Sequence, residues 1–416
     1  MSDAELHAVF DALRFRSPTA GGLKAIPESR WADLLAFTDR AQLTLALGLR
    51  AGDALPPAVR ARISSDLANN QLRHERLLQC HYDIKAALDA AGIPFLILKG
   101  ITNWPGYCAR PEHRPQSDID IFCPPEACEQ ASLVLRQIGW TPISTVGFDD
   151  TDHLPVMIRQ TGWTWKGDYF DPDMPHALEI HFRLWDPEGE AIVAEDMDGL
   201  IASADVRDFN GLRIRALQPS DTLTYACLHL VRHLLRGSLT PHHAYEIAHF
   251  LQYSEGDDAF WRAWREQQSK TPHRRLLAGI AFRLAIGWFD CVAHPVAAAA
   301  ATALPRPVAQ WFSLFLWSPA AALREPNKDE MWLQFALANS GLVRMRTFLN
   351  RMFPRHIPRP LLDAHIPPEK AGLILRSRRF AYAARFAAER AVHHVRTVFP
   401  VLASGVRYWR ALRSQA

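Results

Sequence analysis

The pattern of apolar and polar positions divides the chain into a helical beginning, a central region of strands and a helical remainder. Up to about residue 90, apolar residues recur every three or four positions, and across residues 59–91 they form the stripe of one long amphipathic helix. Gly92 ends this pattern, and the apolar run at residues 95–98 has the length of a buried strand. The sequence therefore predicts a helical segment, residues 1–91, that leads directly into a sheet.

Strand patterns and turn residues dominate the next part of the chain. Acidic and apolar residues alternate in Asp118-Ile-Asp-Ile-Phe122, and Asn210-Gly211 is typical of a hairpin turn. Glycine and proline turns separate three further candidate strands, at residues 154–159, 164–170 and 178–184. A helix is predicted at residues 126–138, with Gly139 as its cap. We expect an α+β fold, with a small mixed or antiparallel sheet and helices on one face.

Helical spacing returns after Pro219 and continues to the end. Helices are predicted at residues 223–235, 244–253, 259–268 and 276–292. Because 416 residues exceed one ordinary core, we expect several domains. The predicted division is an N-terminal helical segment, a sheet domain, a helical domain and a basic helical C-terminal region, at residues 1–91, 92–217, 218–340 and 341–416.

Composition excludes several classes of protein. Hydrophobic residues make up 48% of the chain and charged residues 22%, as in folded soluble proteins. The acidic start, Met1-Ser-Asp-Ala-Glu, does not fit a secretory signal, and charged residues interrupt the most apolar stretch, residues 276–304. The six cysteines lack zinc-type or redox-type spacing. We expect a cytoplasmic protein without a transmembrane segment.

Charge is unevenly distributed along the chain. The net charge is +3, yet residues 341–416 contain fifteen Lys and Arg against three acids, a net charge of +12. The preceding residues therefore carry −9. The basic region is able to contact an anionic partner, such as nucleic acid, a membrane face or an acidic protein. A helix packed on the acidic remainder of the same chain explains the charge equally well.

Three acids carry the candidate chemistry. On a strand, Asp118 and Asp120 project to the same side, and two such carboxylates can share a divalent cation. Glu179-Ile-His-Phe-Arg183 repeats the alternation and supplies a third acid. Lys99 and Gly100 follow the apolar run, where a backbone without a side chain lets a phosphate approach and a lysine offers counter-charge. Magnesium bound by carboxylates and substrate phosphates is typical of nucleotide-handling enzymes.

At these residues the chain resembles the DNA polymerase beta-like nucleotidyltransferase superfamily. More narrowly, it resembles the uncharacterised bacterial nucleotidyltransferase family through Leu98-Lys-Gly100, Arg114-x-x-x-Asp-Ile-Asp120 and Glu179-x-His181. The resemblance implies that the three acids bind Mg²⁺, with Mn²⁺ as a substitute, and are catalytic. It also implies a nucleotide-binding set and a pair of supporting histidines, which are Lys99, Gly100, Arg114 and Ser117, and His181 and His233. Leu-Lys-Gly replaces the superfamily's usual Gly-Ser, so Lys99 takes over related work by different means.

The resemblance implies transfer of a nucleoside monophosphate group from a nucleoside triphosphate, with ATP expected, to a hydroxyl acceptor, with release of pyrophosphate. The acceptor is a small molecule, a peptide or a protein, and the sequence does not choose among them. Two rival functions stay open. A phosphotransferase would use the same metal site, and a non-catalytic protein that binds a nucleotide or partner would keep only the fold.

Several of these side chains have structural alternatives. Lys99 can extend from a strand end to solvent, Arg114 can pair with a structural carboxylate, and His181 can be a core histidine. His229 and His233 have zinc-compatible spacing, but a structural pair or a nucleotide contact is favoured because the glutamate of a zinc protease is absent between them. His242, His243, His393 and His394 are predicted to be surface residues.

Overall fold

The computed structural model of the chain describes residues 1–143, 152–190, 192–209, 211–353 and 373–414. These residues form seven strands and eighteen α-helices. The strands are β1 (Leu96–Ile97), β2 (Asp118–Phe122), β3 (Trp140–Pro142), β4 (Met157–Arg159), β5 (Ala177–His181), β6 (Asp205–Phe209) and β7 (Leu212–Ala216). The helices are α1 (Asp3–Leu13), α2 (Gly21–Lys24), α3 (Trp31–Arg40), α4 (Thr44–Ala51), α5 (Pro57–Ala90), α6 (Cys128–Gln137), α7 (Pro187–Glu190), α8 (Met197–Ala202), α9 (Pro219–Arg236), α10 (His242–Tyr253), α11 (Asp258–Ser269), α12 (Pro272–Phe289), α13 (Pro295–Thr302), α14 (Arg306–Phe315), α15 (Ser318–Ala321), α16 (Glu330–Leu337), α17 (Gly341–Met352) and α18 (Leu373–Ser414).

All seven strands belong to one mixed sheet, in the order β3-β4-β5-β2-β1-β7-β6. The central pair β2 and β5 is parallel, as is the pair β1 and β7, and the remaining neighbours are antiparallel. This arrangement confirms the predicted α+β class with a mixed sheet. The β6–β7 hairpin is also confirmed, although Asn210 of its turn lies outside the described residues.

Both faces of the sheet are covered. On one face, Ile119, Ile121 and Ile180 are buried in an apolar cluster together with side chains of α5 and α6. On the other face, Phe122 packs in a smaller cluster that includes Tyr225 of α9. The expectation that helices cover only one face was wrong, because α9 packs on the second face. The alternation that buries Ile119 and Ile121 directs Asp118 and Asp120 to this second face. The acids therefore project toward the helical part of the chain.

The largest apolar core joins the N-terminal helices to the helices that follow the sheet. The ring of Phe10 in α1 lies between 5.2 and 5.4 Å from those of Trp288, Phe289 and Trp317, measured between centroids. Four tryptophans in this core are essentially inaccessible to solvent, namely Trp261, Trp264, Trp288 and Trp311. This core thus joins residues that precede the sheet in sequence to residues that follow it. The division into four domains stays a prediction.

The long helix α5 and the helices α6 and α9 to α12 confirm the predicted helical segments. The strand predicted at residues 164–170 was wrong. There, the carboxylate of Asp168 accepts a hydrogen bond from the backbone of Phe170 (2.8 Å), and Asp171 accepts one from the indole of Trp163 (2.9 Å). Such side-chain bonds hold the segment in turns instead of a ladder. The short strand β3 was missed because three residues give little periodicity. Within the described residues, no helix has the length and apolar character needed to cross a membrane.

The packing of α6 on the sheet yields a matched test of the core. Leu135 is fully buried in the cluster beneath the sheet, whereas Leu133 on the same helix is 51% exposed. Leu135→Ala is expected to lower the free energy of unfolding by about 2–5 kcal/mol, because it leaves a cavity, and Leu133→Ala by less than about 0.5 kcal/mol. Urea unfolding followed by circular dichroism measures both, and equal losses would contradict the described orientation of α6.

Candidate active site

The parallel pairing of β2 and β5 brings the candidate acids together. Its register places Asp120 beside Glu179 and Phe122 beside His181, so acids some sixty positions apart share one face. The Nε2 atom of His181 lies 3.2 Å from Oδ1 of Asp120 and 3.5 Å from Oε2 of Glu179. Ligand atoms of these three residues all lie within 4.8 Å of one another. This cluster has the dimensions of a metal-binding group, and Asp118 lies one pleat away.

Lys99 occupies the space between the two aspartates. Its Nζ atom lies 3.1 Å from Oδ2 of Asp118, 3.2 Å from Oδ2 of Asp120 and 3.2 Å from Nε2 of His229. Burial disfavours a charged lysine, but the attraction of Asp118 and Asp120 outweighs it and raises the pKa of Lys99. The lysine is therefore a cation that neutralises the acids from within the protein.

Lys99 and His181 offset part of the negative charge of the cluster. Burial alone would raise the pKa of Asp120, yet Lys99 and the hydrogen bond from His181 hold it below its usual range. Burial likewise opposes ionisation of Glu179, and His181 outweighs it and lowers the pKa of that carboxyl. The pKa of His181 is raised, because the two carboxylates outweigh its burial. The ionised forms of Asp120 and Glu179 are thus favoured over the neutral forms.

The donor set fits a hard divalent cation. Asp118, Asp120 and Glu179 offer oxygen ligands, which magnesium and manganese prefer. The Asp118 side chain is 32% exposed, so one ligand faces solvent from which a nucleotide can enter, while Asp120 is 1% exposed. Oδ2 of Asp120 is buried without a hydrogen bond, although Lys99 lies close enough for an ion pair. An ion that took over this oxygen would satisfy it.

The turn after β1 is fixed by Gly100 and Gln116. Gly100 has a φ of +85°, and a Cβ atom at this position would overlap the Gln116 side chain. The Gln116 amide donates to the Asp118 carbonyl (2.6 Å) and accepts from Nη1 of Arg114 (3.1 Å). Only a three-residue 3-10 helix, Ile101–Asn103, follows Gly100, so a helix dipole adds little for a phosphate there. The nucleotide-binding roles of Gly100 and Ser117, whose side chain is exposed, stay predictions.

Arg114 forms a buried ion pair with Glu246 of α10. Both side chains are about one-tenth exposed, and Nη2 of Arg114 lies 3.4 Å from Oε2 of Glu246 in addition to a closer contact through Nε. Burial opposes the charge of Arg114, but Glu246 outweighs it and raises the pKa of the guanidinium. Of the two roles considered for Arg114, the structure shows the ion pair with a structural carboxylate. A phosphate contact stays a prediction, and Arg114 lines a pocket together with Lys99, Tyr225, His229, His243 and Glu246.

Two charged residues of the site escaped sequence reasoning. Arg232 of α9 pairs with Asp152, and Oδ2 of Asp152 lies 3.9 Å from Nδ1 of His181. These contacts link α9 to the acid cluster through His181 and Asp120. No local sequence motif indicates a role for Asp152, since its partner Arg232 lies eighty positions away along the chain. Arg232 lies one turn after Leu228, and both residues are buried on α9.

The histidines of α9 and α10 lie closer to the acids than expected. His233, predicted as a supporting residue, contacts His229 at 3.2 Å between Nε2 atoms, and His229 contacts Lys99. The surface prediction for His242 and His243 was wrong, because the start of α10 packs against α9: His242 is buried and His243 half-buried.

For the remaining two histidines, the surface prediction is confirmed for His393 and wrong for His394. His393 is exposed, as predicted. His394 is half-buried and bonded to Lys328 (2.7 Å) and to the Met352 carbonyl (2.7 Å).

The buried Arg114–Glu246 pair is expected to contribute far more to the free energy of unfolding than an exposed ion pair does. Glu246→Ala leaves the Arg114 guanidinium buried without its partner and is expected to lower the free energy of unfolding by about 3–5 kcal/mol. The control is Glu389→Ala, which removes an exposed partner of Arg385 on α18 and is expected to leave stability unchanged. Denaturant unfolding compares the two, and a negligible effect of Glu246→Ala would show that Arg114 does not depend on this carboxylate.

Comparison with known proteins places the chain in a family. A search of curated proteins found no match. Among solved structures, the chain is similar to the crystal structure of an antigenic nucleotidyltransferase-like protein from Paracoccidioides brasiliensis, with 13% identity and a TM-score of 0.28, over 49% of this chain and 89% of that chain. A TM-score this low carries no weight here. The family model described as "Uncharacterised nucleotidyltransferase" matches residues 27–290, more than half of the chain and all three candidate acids. The chain belongs to this family of uncharacterised nucleotidyltransferases.

Proposed function

We propose that the protein is a magnesium-dependent enzyme that transfers a nucleoside monophosphate group from a nucleoside triphosphate to a hydroxyl acceptor. The observation that carries the proposal is the register of β2 and β5, which brings Asp120 beside Glu179 on the face where Lys99 also lies. Family membership supports the general class of reaction. The metal requirement, the products and the roles of individual residues belong to the proposal.

Asp118, Asp120 and Glu179 are the proposed metal ligands and catalytic residues. Divalent magnesium, with manganese as a substitute, would supply charge neutralisation for the triphosphate and lower the pKa of the acceptor hydroxyl. The acceptor oxygen forms a bond to the α-phosphorus as the bond to the bridging oxygen of the β-phosphate breaks, and pyrophosphate leaves. The hydroxyl proton is lost to a nearby base or water. His181 holds Asp120 and Glu179 in their ionised, oriented state throughout.

Lys99 has the central role in nucleotide binding. In the structure it neutralises Asp118 and Asp120, and an arriving divalent cation would free its ammonium group for the β- and γ-phosphates. The backbone at Gly100 and Ser117 would approach the same phosphates, and Arg114 would add positive charge at the pocket wall. ATP is the proposed nucleotide. His233 supports Lys99 indirectly through His229.

The acceptor is proposed to be a small molecule, a peptide or a protein. The exposed end of the site at Asp118 is open to any of these. A phosphotransferase that uses the same acids is the second candidate. Because Lys99 replaces the serine of the superfamily's Gly-Ser motif, these residues do not determine whether the α-phosphate or the γ-phosphate is attacked. A nucleotide-binding protein without turnover is the third. The reaction product separates these candidates.

The basic C-terminal region is proposed as a surface for an anionic partner, and six free cysteines favour a reducing cytoplasm. One side of α18 is buried through Val401 and Tyr408, as expected for a helix packed on its own chain. A second row of α18 is exposed and apolar, and consists of Val392, Val395, Phe399, Leu402, Val406 and Trp409. Nine arginines and a single acid accompany this row on α18. This combination suits an acidic or membrane-bound partner.

The decisive test incubates the purified chain with each of the four labelled triphosphates, Mg²⁺ and a cell extract as the source of acceptor. Transfer of label from the α-phosphate with release of pyrophosphate is expected, most strongly with ATP. Asp120→Asn preserves shape but removes a negative ligand, so activity should fall about 100-fold or more. Removal of divalent metal with a chelator should abolish turnover.

A matched control is Asp205→Asn, the same substitution at an exposed position on the edge strand β6, which should retain full activity. Release of a nucleoside diphosphate with transfer of the γ-phosphate would establish phosphoryl transfer instead. Equal consumption of nucleotide by the wild type and Asp120→Asn would refute the assignment of the acids.

A further inference from the structure

Four histidines gather at the junction of α9 and α10, beside the acid cluster. His229 and His233 lie one turn apart on α9, and His242 and His243 begin α10. The ring centroid of His243 lies 4.7 Å from that of His229 and 5.4 Å from that of His233. Nitrogen atoms of His229, His233 and His243 all lie within 4.8 Å of one another.

The electrostatic state of these rings suits metal binding. Burial lowers the pKa of His229 and of His243 well below the usual range, and it lowers the pKa of His233 to about 3. Each ring is therefore neutral at physiological pH and has one ring nitrogen with a free lone pair. Among the described residues, the His243 ring has no hydrogen-bond partner, and Nδ1 of the adjacent, 6% exposed His242 is buried without one. The lone pair at Nε2 of His229 lies 3.2 Å from the Lys99 ammonium, whereas the His243 ring is left without a donor in the described part of the chain.

We infer that His229, His233 and His243 form a binding site for a transition-metal ion of the zinc type, separate from the magnesium site of the acids. In a tetrahedral zinc site with metal–nitrogen bonds of about 2.0–2.1 Å, ligand nitrogens lie about 3.3 Å apart. The Nε2 atoms of His229 and His233 are 3.2 Å apart. Imidazole nitrogen selects zinc-type ions over magnesium, and three histidine ligands leave the fourth position open.

Neighbouring residues support this ligand set. Oγ of Ser238 lies 3.1 Å from Nδ1 of His233, so its hydroxyl can fix the ring with Nε2 directed to the ion. The alternative set of His242, His243 and Glu246 is also compact, but Glu246 is committed to Arg114. The three histidines of the assigned set have no competing carboxylate partner in the described structure.

The inferred site is coupled to the acid cluster through Lys99. The lone pair at Nε2 of His229 can accept a hydrogen bond from Lys99 or bind the ion, but not both. Lys99 keeps its two carboxylate partners when the ion is bound. His229 and His243 line the same pocket as Lys99 and Arg114, so a ligand at the open metal position would lie beside the proposed nucleotide site.

The test uses Co²⁺ as a spectroscopic probe on the full chain after chelator treatment. One tightly bound Co²⁺ per chain with a strong visible absorption band of tetrahedral type is expected. His233→Gln and His243→Gln should each abolish that band, and Ser238→Ala should weaken Co²⁺ binding by about tenfold. The exposed His393→Gln is the control and should bind as the wild type does.

Asp120→Asn separates this inference from the proposed function, because it should lose nucleotidyl transfer and keep the cobalt band. Loss of the band in Asp120→Asn with its retention in His243→Gln would place the ion among the acids and overturn the inference. X-ray absorption of the Zn²⁺-loaded wild type gives a measurement that does not depend on folding of the variants. Three imidazole ligands would support the site, and coordination by oxygen alone would refute it.

Discussion

The site depends on the balance of charge among buried carboxylates. Asp120 is almost inaccessible to solvent and lies beside Glu179, an arrangement that would cost several kcal/mol per ion without compensation. Lys99 and His181 provide the compensation from opposite sides of Asp120. Because both side chains are part of the protein, they lower the pKa of Asp120 against the opposing effect of its burial. The cluster thus carries its own internal counter-charge.

The position of this cluster follows from a sheet that is covered on both faces. Alternation along β2 and β5 buries Ile119, Ile121 and Ile180 under α5 and α6, and it directs the acids toward α9 and α10. Those helices supply Arg232, Glu246 and the histidines, so the site lies between the sheet and the helices. The family model spans both parts, which is consistent with a functional unit larger than the sheet alone.

Sequence reasoning succeeded where a local pattern carries the information. Alternation in Asp118-Ile-Asp-Ile-Phe122 predicted both the strand and the shared direction of its acids, and helical spacing predicted α5 and α9. The register between β2 and β5 could not be derived, because sixty intervening residues leave pairing undetermined. Asp152 and Arg232 were missed, and His243 was wrongly assigned to the surface, for the same reason: each contacts partners that are distant in sequence. The strand expected at residues 164–170 failed because Asp168 satisfies the local backbone itself.

The contact of Phe10 with Trp288, Phe289 and Trp317 has a consequence for synthesis on the ribosome. The helix α1 also packs on α2 and α4, which follow it closely in sequence. Phe10 reaches its three aromatic partners only after about three hundred more residues have been translated, which at about 5–20 residues per second takes tens of seconds. During that interval Phe10 lacks the three rings that pack on it in the folded protein. Closure of the largest core is therefore a late event in biogenesis, because its members come both from the N-terminal helices and from the helices that follow the sheet.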